Sequence, residues 1–180
     1  TPTSVTVGGT AALVGGVGSD SVGLTGTVTW AFPSAAAGAA TLSRSGSYAL
    51  VNDGGNYLLE QPSLTATIRR RQLAVTGVTA KGRVYDTTTL VTVSGGSIGA
   101  VTGVTPSGVL SGEAALVLLD KTSMVGRLAD KKVGTKTVTV EGLALSGAKA
   151  ANYEIATINS PSVTITKAPL SVSGLVALDK

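Results

Sequence analysis

The sequence predicts an all-β chain made of two sandwich modules in tandem. Three observations predict it. Polar and apolar residues alternate with a period of two. Turn signals rich in Gly, Pro, Asn and Asp break the alternation every eight to twelve residues or so, the spacing of a β-sandwich or barrel. Landmarks of the first part of the chain also recur later, at an offset close to 97 residues.

The alternating runs, in order, are Ser4-Val5-Thr6-Val7, Thr27-Val28-Thr29-Trp30-Ala31-Phe32, Leu73-Ala74-Val75-Thr76, Thr137-Val138-Thr139-Val140 and Ser162-Val163-Thr164-Ile165-Thr166. Val and Thr are β-branched and suit a pleated, half-buried surface. Alternation sends Val28, Trp30 and Phe32 to one face and the threonines to water. The expected core is Val28, Trp30, Phe32, Tyr57, Leu73, Val75, Val138, Val140, Tyr153 and Val163. Turns are expected at Asn52-Asp53-Gly54-Gly55, Ser94-Gly95-Gly96, Thr105-Pro106-Ser107-Gly108 and Ser160-Pro161. Residues Glu113 to Leu119 are short and uncapped for a helix and read as a buried strand.

Ile68 to Gly77 aligns with Ile165 to Gly174 at offset 97, Asn56-Tyr57 with Asn152-Tyr153 at offset 96, and Thr1 to Val7 with Thr87 to Val93 at offset 86. The expected organisation is a first repeat at 1–69 that lacks its first strand, a complete repeat at 70–166, and at 167–180 the first strand of a following one. Leu170-Ser171-Val172-Ser173-Gly174 is that strand and is the candidate assembly site. A whole module separates it from residues 1–69, so it is expected to pair head to tail with a neighbouring copy or repeat in a filament. The spacing Asp53-x-Gly55-x-Tyr57 suggests the tyrosine corner of immunoglobulin-like sandwiches, with the hydroxyl bonded to backbone a few residues upstream. Tyr153 stands at the equivalent place.

Composition narrows the chemistry. The 180 residues contain neither Cys nor His, so thiolate, imidazole and common zinc chemistry are excluded. The acids are scattered, without the spacing of a calcium loop. No Gly-Lys-Ser/Thr follows the glycine pairs, which excludes a phosphate loop. No catalytic, cofactor-binding or metal-binding residue is therefore expected, and no cofactor. The net charge of +4 is modest. Arg69-Arg70-Arg71 has no aromatic neighbours for stacking bases and reads as a solvated linker, so no nucleic acid is expected as partner. No apolar run approaches a membrane span. A start at Thr1 without a signal peptide reads as a mature or excised segment.

Gly77-Val78-Thr79-Ala80-Lys81-Gly82-Arg83-Val84-Tyr85-Asp86-Thr87-Thr88 resembles the signature of the YDG repeat, which reads Val-Tyr-Asp-Gly-Thr-Thr at its end; here Thr87 stands in the Gly position. Ala129 to Val140, then Leu143 to Gly147 and Asn152-Tyr153, are similar to the same family. Gly46-Ser47-Tyr48-Ala49-Leu50 through Tyr57 is closer to the related MBG repeats. The resemblance implies long secreted bacterial proteins of the filamentous-haemagglutinin type. It thus implies an extracellular or cell-surface, non-enzymatic stalk or adhesin. The alternative is a carbohydrate-binding module that reads surface glycans with exposed Tyr and Thr edges.

Overall fold

The structure, a computed structural model, describes residues 3–178. It is all-β, 41% strand and 3% helix, with its strands in several small sheets. The chain divides into two compact units, Thr1–Arg70 and Arg71–Lys180.

The first unit holds β1 (Ser4–Val5), β2 (Gly23–Thr25), β3 (Val28–Ala31), β4 (Gly38–Thr41), β5 (Ser43–Gly46), β6 (Ala49–Val51) and β7 (Thr65–Ile68). They pair as β1-β3-β5, β2-β6 and β4-β7, all antiparallel. Between β4 and β5 the chain changes sheet at Leu42. Its N–H donates to the Leu64 carbonyl at 2.8 Å, and its side chain is buried. Among the described residues of this unit, Trp30 and Leu42 are the buried hydrophobic residues.

The second unit holds β8 (Arg71–Ala80), β9 (Arg83–Val84), β10 (Leu90–Val91), β11 (Val93–Gly99), β12 (Leu118–Asp120), β13 (Val125–Arg127), β14 (Gly134–Thr137), β15 (Thr139–Glu141), β16 (Ala144–Ser146), β17 (Tyr153–Ile158) and β18 (Ser162–Thr166). The long β8 lies between β11, antiparallel, and β17, parallel. The other sheets are β10-β13-β15, β12-β16 and β14-β18-β9. Val138 marks a sheet change like that at Leu42, its N–H donating to the Pro161 carbonyl at 2.8 Å.

Three apolar clusters fill this unit. Leu73 packs with Val117 and Tyr153. Val75 and Val78 pack with Val140. Val91, Leu128, Val138, Val163 and Ile165 form the third. Alternation along β8 sends Leu73 and Val75 inward, and then the strand kinks. Gly77 sits at φ +74°, so Val78 also returns to the core. Across the ladder Gly95 takes φ +81°, where a Cβ would lie 2.4 Å from the Gly77 carbonyl oxygen. Only glycine fits both requirements.

Two expectations need correction. Val28, Phe32 and Tyr57 are half-buried, not core. Residues 6–22 and 52–64 of the first unit form no described strand, so fewer paired strands are available to cover these side chains than in the second unit. Residues 113–119 are not one strand. Ala114–Leu116 form a 3-10 turn, Val117 is buried, and β12 begins at Leu118. The turn holds Glu113 in place for a contact described below.

Leu73 and Leu170 are sequence counterparts at 0% and 98% exposure. Leu73→Ala is expected to destabilise the second unit by about 2–5 kcal/mol, through lost transfer energy and a residual cavity. In dilute solution Leu170→Ala should change stability by less than about 0.5 kcal/mol. Urea unfolding followed by circular dichroism measures both.

Candidate functional site

The signature segment forms the return from β9 to β10. The Tyr85 N–H donates to the Thr166 carbonyl at 2.9 Å, which carries the chain along the edge of β18. Its ring packs, half-buried, against the cluster of Val91, Leu128, Val138, Val163 and Ile165. Asp86 Oδ1 accepts from the Thr88 N–H at 2.9 Å, from Thr88 Oγ1 at 2.8 Å, and from Arg83 Nη1. Arg83 also donates through Nη2 to the Thr88 carbonyl at 2.6 Å and through Nε to the Leu90 carbonyl at 3.2 Å. The Thr88 N–H, then the Thr88 hydroxyl and the Arg83 charge, hold the Asp86 carboxyl below its ordinary range. Thr87 adopts φ +71°, the left-handed conformation that suits Gly. A β-branched residue there is strained. An open hollow of about 390 Å³ lies over this turn, lined among others by Lys81, Arg83 and Asp86. Arg83 and Asp86 satisfy each other and the turn, so the hollow presents no unpartnered charge from that pair.

A model of the YDG domain matches residues 69–160, 92 of the 180 residues. The chain belongs to the YDG-domain family. Comparison with curated proteins and with solved structures yields no match. The matched span runs from the residue after β7 to two residues beyond β17, so the YDG domain includes β8 and both of its neighbours. In this chain the family's Tyr-Asp signature is a structural clasp, with Tyr85 in the packing and Asp86 in the turn.

The tyrosines expected as corners do something else. In the YDG domain, the Tyr153 hydroxyl donates to Glu113 Oε2 at 2.6 Å and accepts the Leu110 N–H at 3.2 Å. In the first unit, the Tyr57 hydroxyl donates to Asp20 Oδ2 at 2.9 Å and accepts the Val17 N–H at 3.1 Å. In each case the acid closes a turn onto the residue that supplies the N–H. Glu113 N–H donates to the Leu110 carbonyl at 3.0 Å, and Asp20 N–H to the Val17 carbonyl at 3.3 Å. The partners thus lie about 40 residues upstream, not a few. Val17-Gly18-Ser19-Asp20 and Leu110-Ser111-Gly112-Glu113 were the available signal, two small residues before an acid at offset 93. Burial, and then the bond to Glu113, raise the Tyr153 pKa; the Leu110 N–H partly offsets this. Arg71 also departs from expectation. It begins β8, and its guanidinium donates to the Gly108 and Ser107 carbonyls at 2.6 and 2.7 Å, so only Arg69 and Arg70 are linker.

Beside Tyr57 the first unit has an open cleft of about 570 Å³. Ala12, Leu13 and Val14, with Tyr57, Leu58 and Leu59, are among the residues that line it. Neither segment belongs to a strand. The candidate assembly residues Leu170 to Gly174 are exposed and have no strand partner among the described residues.

Tyr153→Phe is expected to cost about 1–3 kcal/mol, because the Leu110 N–H and the Glu113 carboxylate lose a part-buried partner. Tyr57→Phe, at a more exposed site, should cost less; thermal melts of both variants check the ranking. Thr87→Gly should raise stability by up to about 1 kcal/mol, since the relief of left-handed strain exceeds the added chain entropy. The carboxyls of Asp86, Asp120 and Asp130 are held low, the last two first by the Thr122 N–H and by Lys136. Their stabilisation is present above the ordinary value of 3.8 and is lost as pH falls through the lowered values. The Tyr153 contribution is complete below 10.0 and is lost as pH rises through its raised value. Melting temperature against pH should therefore fall at both ends, and Tyr153→Phe should shallow the alkaline fall alone.

Proposed function

We propose that the chain is a structural repeat unit of an extracellular bacterial fibre or adhesin stalk, built from tandem Ig-like β-sandwich modules, with no enzymatic role. One observation carries the reading: the strand-pairing plan of the first unit recurs in the second. The sheets β1-β3-β5, β2-β6 and β4-β7 correspond to β10-β13-β15, β12-β16 and β14-β18. Registers correspond as well. Trp30 opposite Arg44 matches Gly126 opposite Val140 at offset 96. Gly38 opposite Ile68 matches Gly134 opposite Ile165, both glycines at positive φ. The two tyrosine clasps add a third correspondence. Modules of one plan joined by a short link are the parts of a quasi-linear array.

The absence of Cys and His from the sequence, together with its low charge, supports a spacer over a catalyst. The glycan-binding alternative has less support. Trp30 and Tyr153 are buried and offer no stacking face, and the Tyr57 hydroxyl is engaged. The test is an antibody raised against the chain and applied to intact cells of the source bacterium. Surface labelling that is removed by external protease is expected. Labelling only after lysis overturns the reading.

A further inference from the structure

We propose that the second unit is a mechanical clamp, in which β8 and β9 grip β17 and β18 against tension applied along the chain. The proposal rests on the stalk reading above and adds the elements that carry the load.

Tension enters the strands of this unit at β8 and leaves them at β18. Among the described residues, β8 with β17 and β9 with β18 are the parallel strand pairs. The other strand pairs are antiparallel. β9 follows β8 after two residues, and β18 follows β17 after three. The segments 71–84 and 153–166 therefore run in the same direction and pair twice. Tyr153 lies opposite Arg71 and Ile158 opposite Val75 in the first pair. Ile165 lies opposite Arg83 and Thr166 opposite Val84 in the second.

Direction decides how these bonds are loaded. Pulling residue 71 one way and residue 166 the other slides parallel segments past each other. The backbone bonds between them are then strained together, and each shares the load of the rest. In an antiparallel pair pulled apart from one end, the same tension opens one bond at a time. Parallel pairing is slightly less stable per residue at equilibrium. Its use on the strands that take the load therefore favours resistance to force over equilibrium stability.

The junction between the two pairs is closed as well. β8 kinks at Gly77, where φ is +74°. Beyond the kink the Val78 N–H donates to Asn159 Oδ1 at 3.0 Å, and the Asn159 N–H donates to the Val75 carbonyl at 2.9 Å. Asn159, the residue after β17, thus spans the kink. Past the second pair the Tyr85 N–H donates to the Thr166 carbonyl at 2.9 Å. At the entry the Arg71 guanidinium donates to the Ser107 and Gly108 carbonyls, which pins the first loaded residue. Leu73, Val75 and Ile165 are buried, which keeps water from the bonds that must hold.

Single-molecule force measurement on the full chain tests the clamp. The parent sequence has no cysteine, so introduced cysteine pairs serve as attachment points. Arg70→Cys with Lys167→Cys pulls along the chain. Lys132→Cys with Lys167→Cys opens the antiparallel β14-β18 pair from the end where Gly134 faces Ile165. All three positions are exposed. At one pulling speed the first pair should unfold at about twice the force of the second or more, because the direction of pulling changes the unfolding barrier and not the folded state. Asn159→Ala should lower the first force and leave the second unchanged. Asn159→Asp, which keeps an oxygen acceptor, should retain the first force. A first force equal to or below the second overturns the clamp. A loss on Asn159→Ala that is the same in both directions, or absent from both, overturns the role of Asn159. Surface labelling of cells does not depend on unfolding force, so failure here is distinguishable from failure of the stalk reading.

Discussion

The second unit depends on a single strand with neighbours on both edges. β8 offers hydrogen bonds to β11 on one side and to β17 on the other, which satisfies backbone groups that an edge strand would leave open. Its inward residues then serve two apolar clusters, Leu73 in one and Val75 with Val78 in the other. Burying side chains of this size contributes roughly 1.5–3 kcal/mol each. Among the described residues, the first unit has two buried hydrophobics and no strand in the β8 position.

The YDG signature serves the same framework. Tyr85 packs on the cluster under β18, and Asp86 ties Arg83 and Thr88 into the return that leads into β10. Its residues are held in place by one another. The family's most recognisable residues thus read as parts of the fold. The second tyrosine, Tyr153, anchors the opposite end of β8's parallel neighbour to the turn at Leu110 to Glu113.

Alternation located β3, β8 and β18 because a strand buried on one face writes that burial into every second residue. It placed Leu73, Val75, Val138, Val140, Tyr153 and Val163 in the core, where they lie. It could not reveal that Thr137 and Thr139 belong to different sheets, because the chain changes partner at Val138 without losing the period. It also misread residues 113–119, where an apolar run contains a 3-10 turn. The tyrosine hydroxyls were the harder case. Their partners are some 40 residues away, and only the small-small-acid pattern at offset 93 hints at them. Val28, Phe32 and Tyr57 carry core character but are only half-buried, because alternation shows which face a residue points to and not how completely that face is covered.

The central claim is that β8, paired on both edges, organises the second unit. Hydrogen–deuterium exchange tests it most directly. The account predicts that β8 amides are among the slowest of the second unit to exchange, behind those of the two-stranded β12-β16 sheet. Exchange of β8 ahead of β12 and β16 would contradict it.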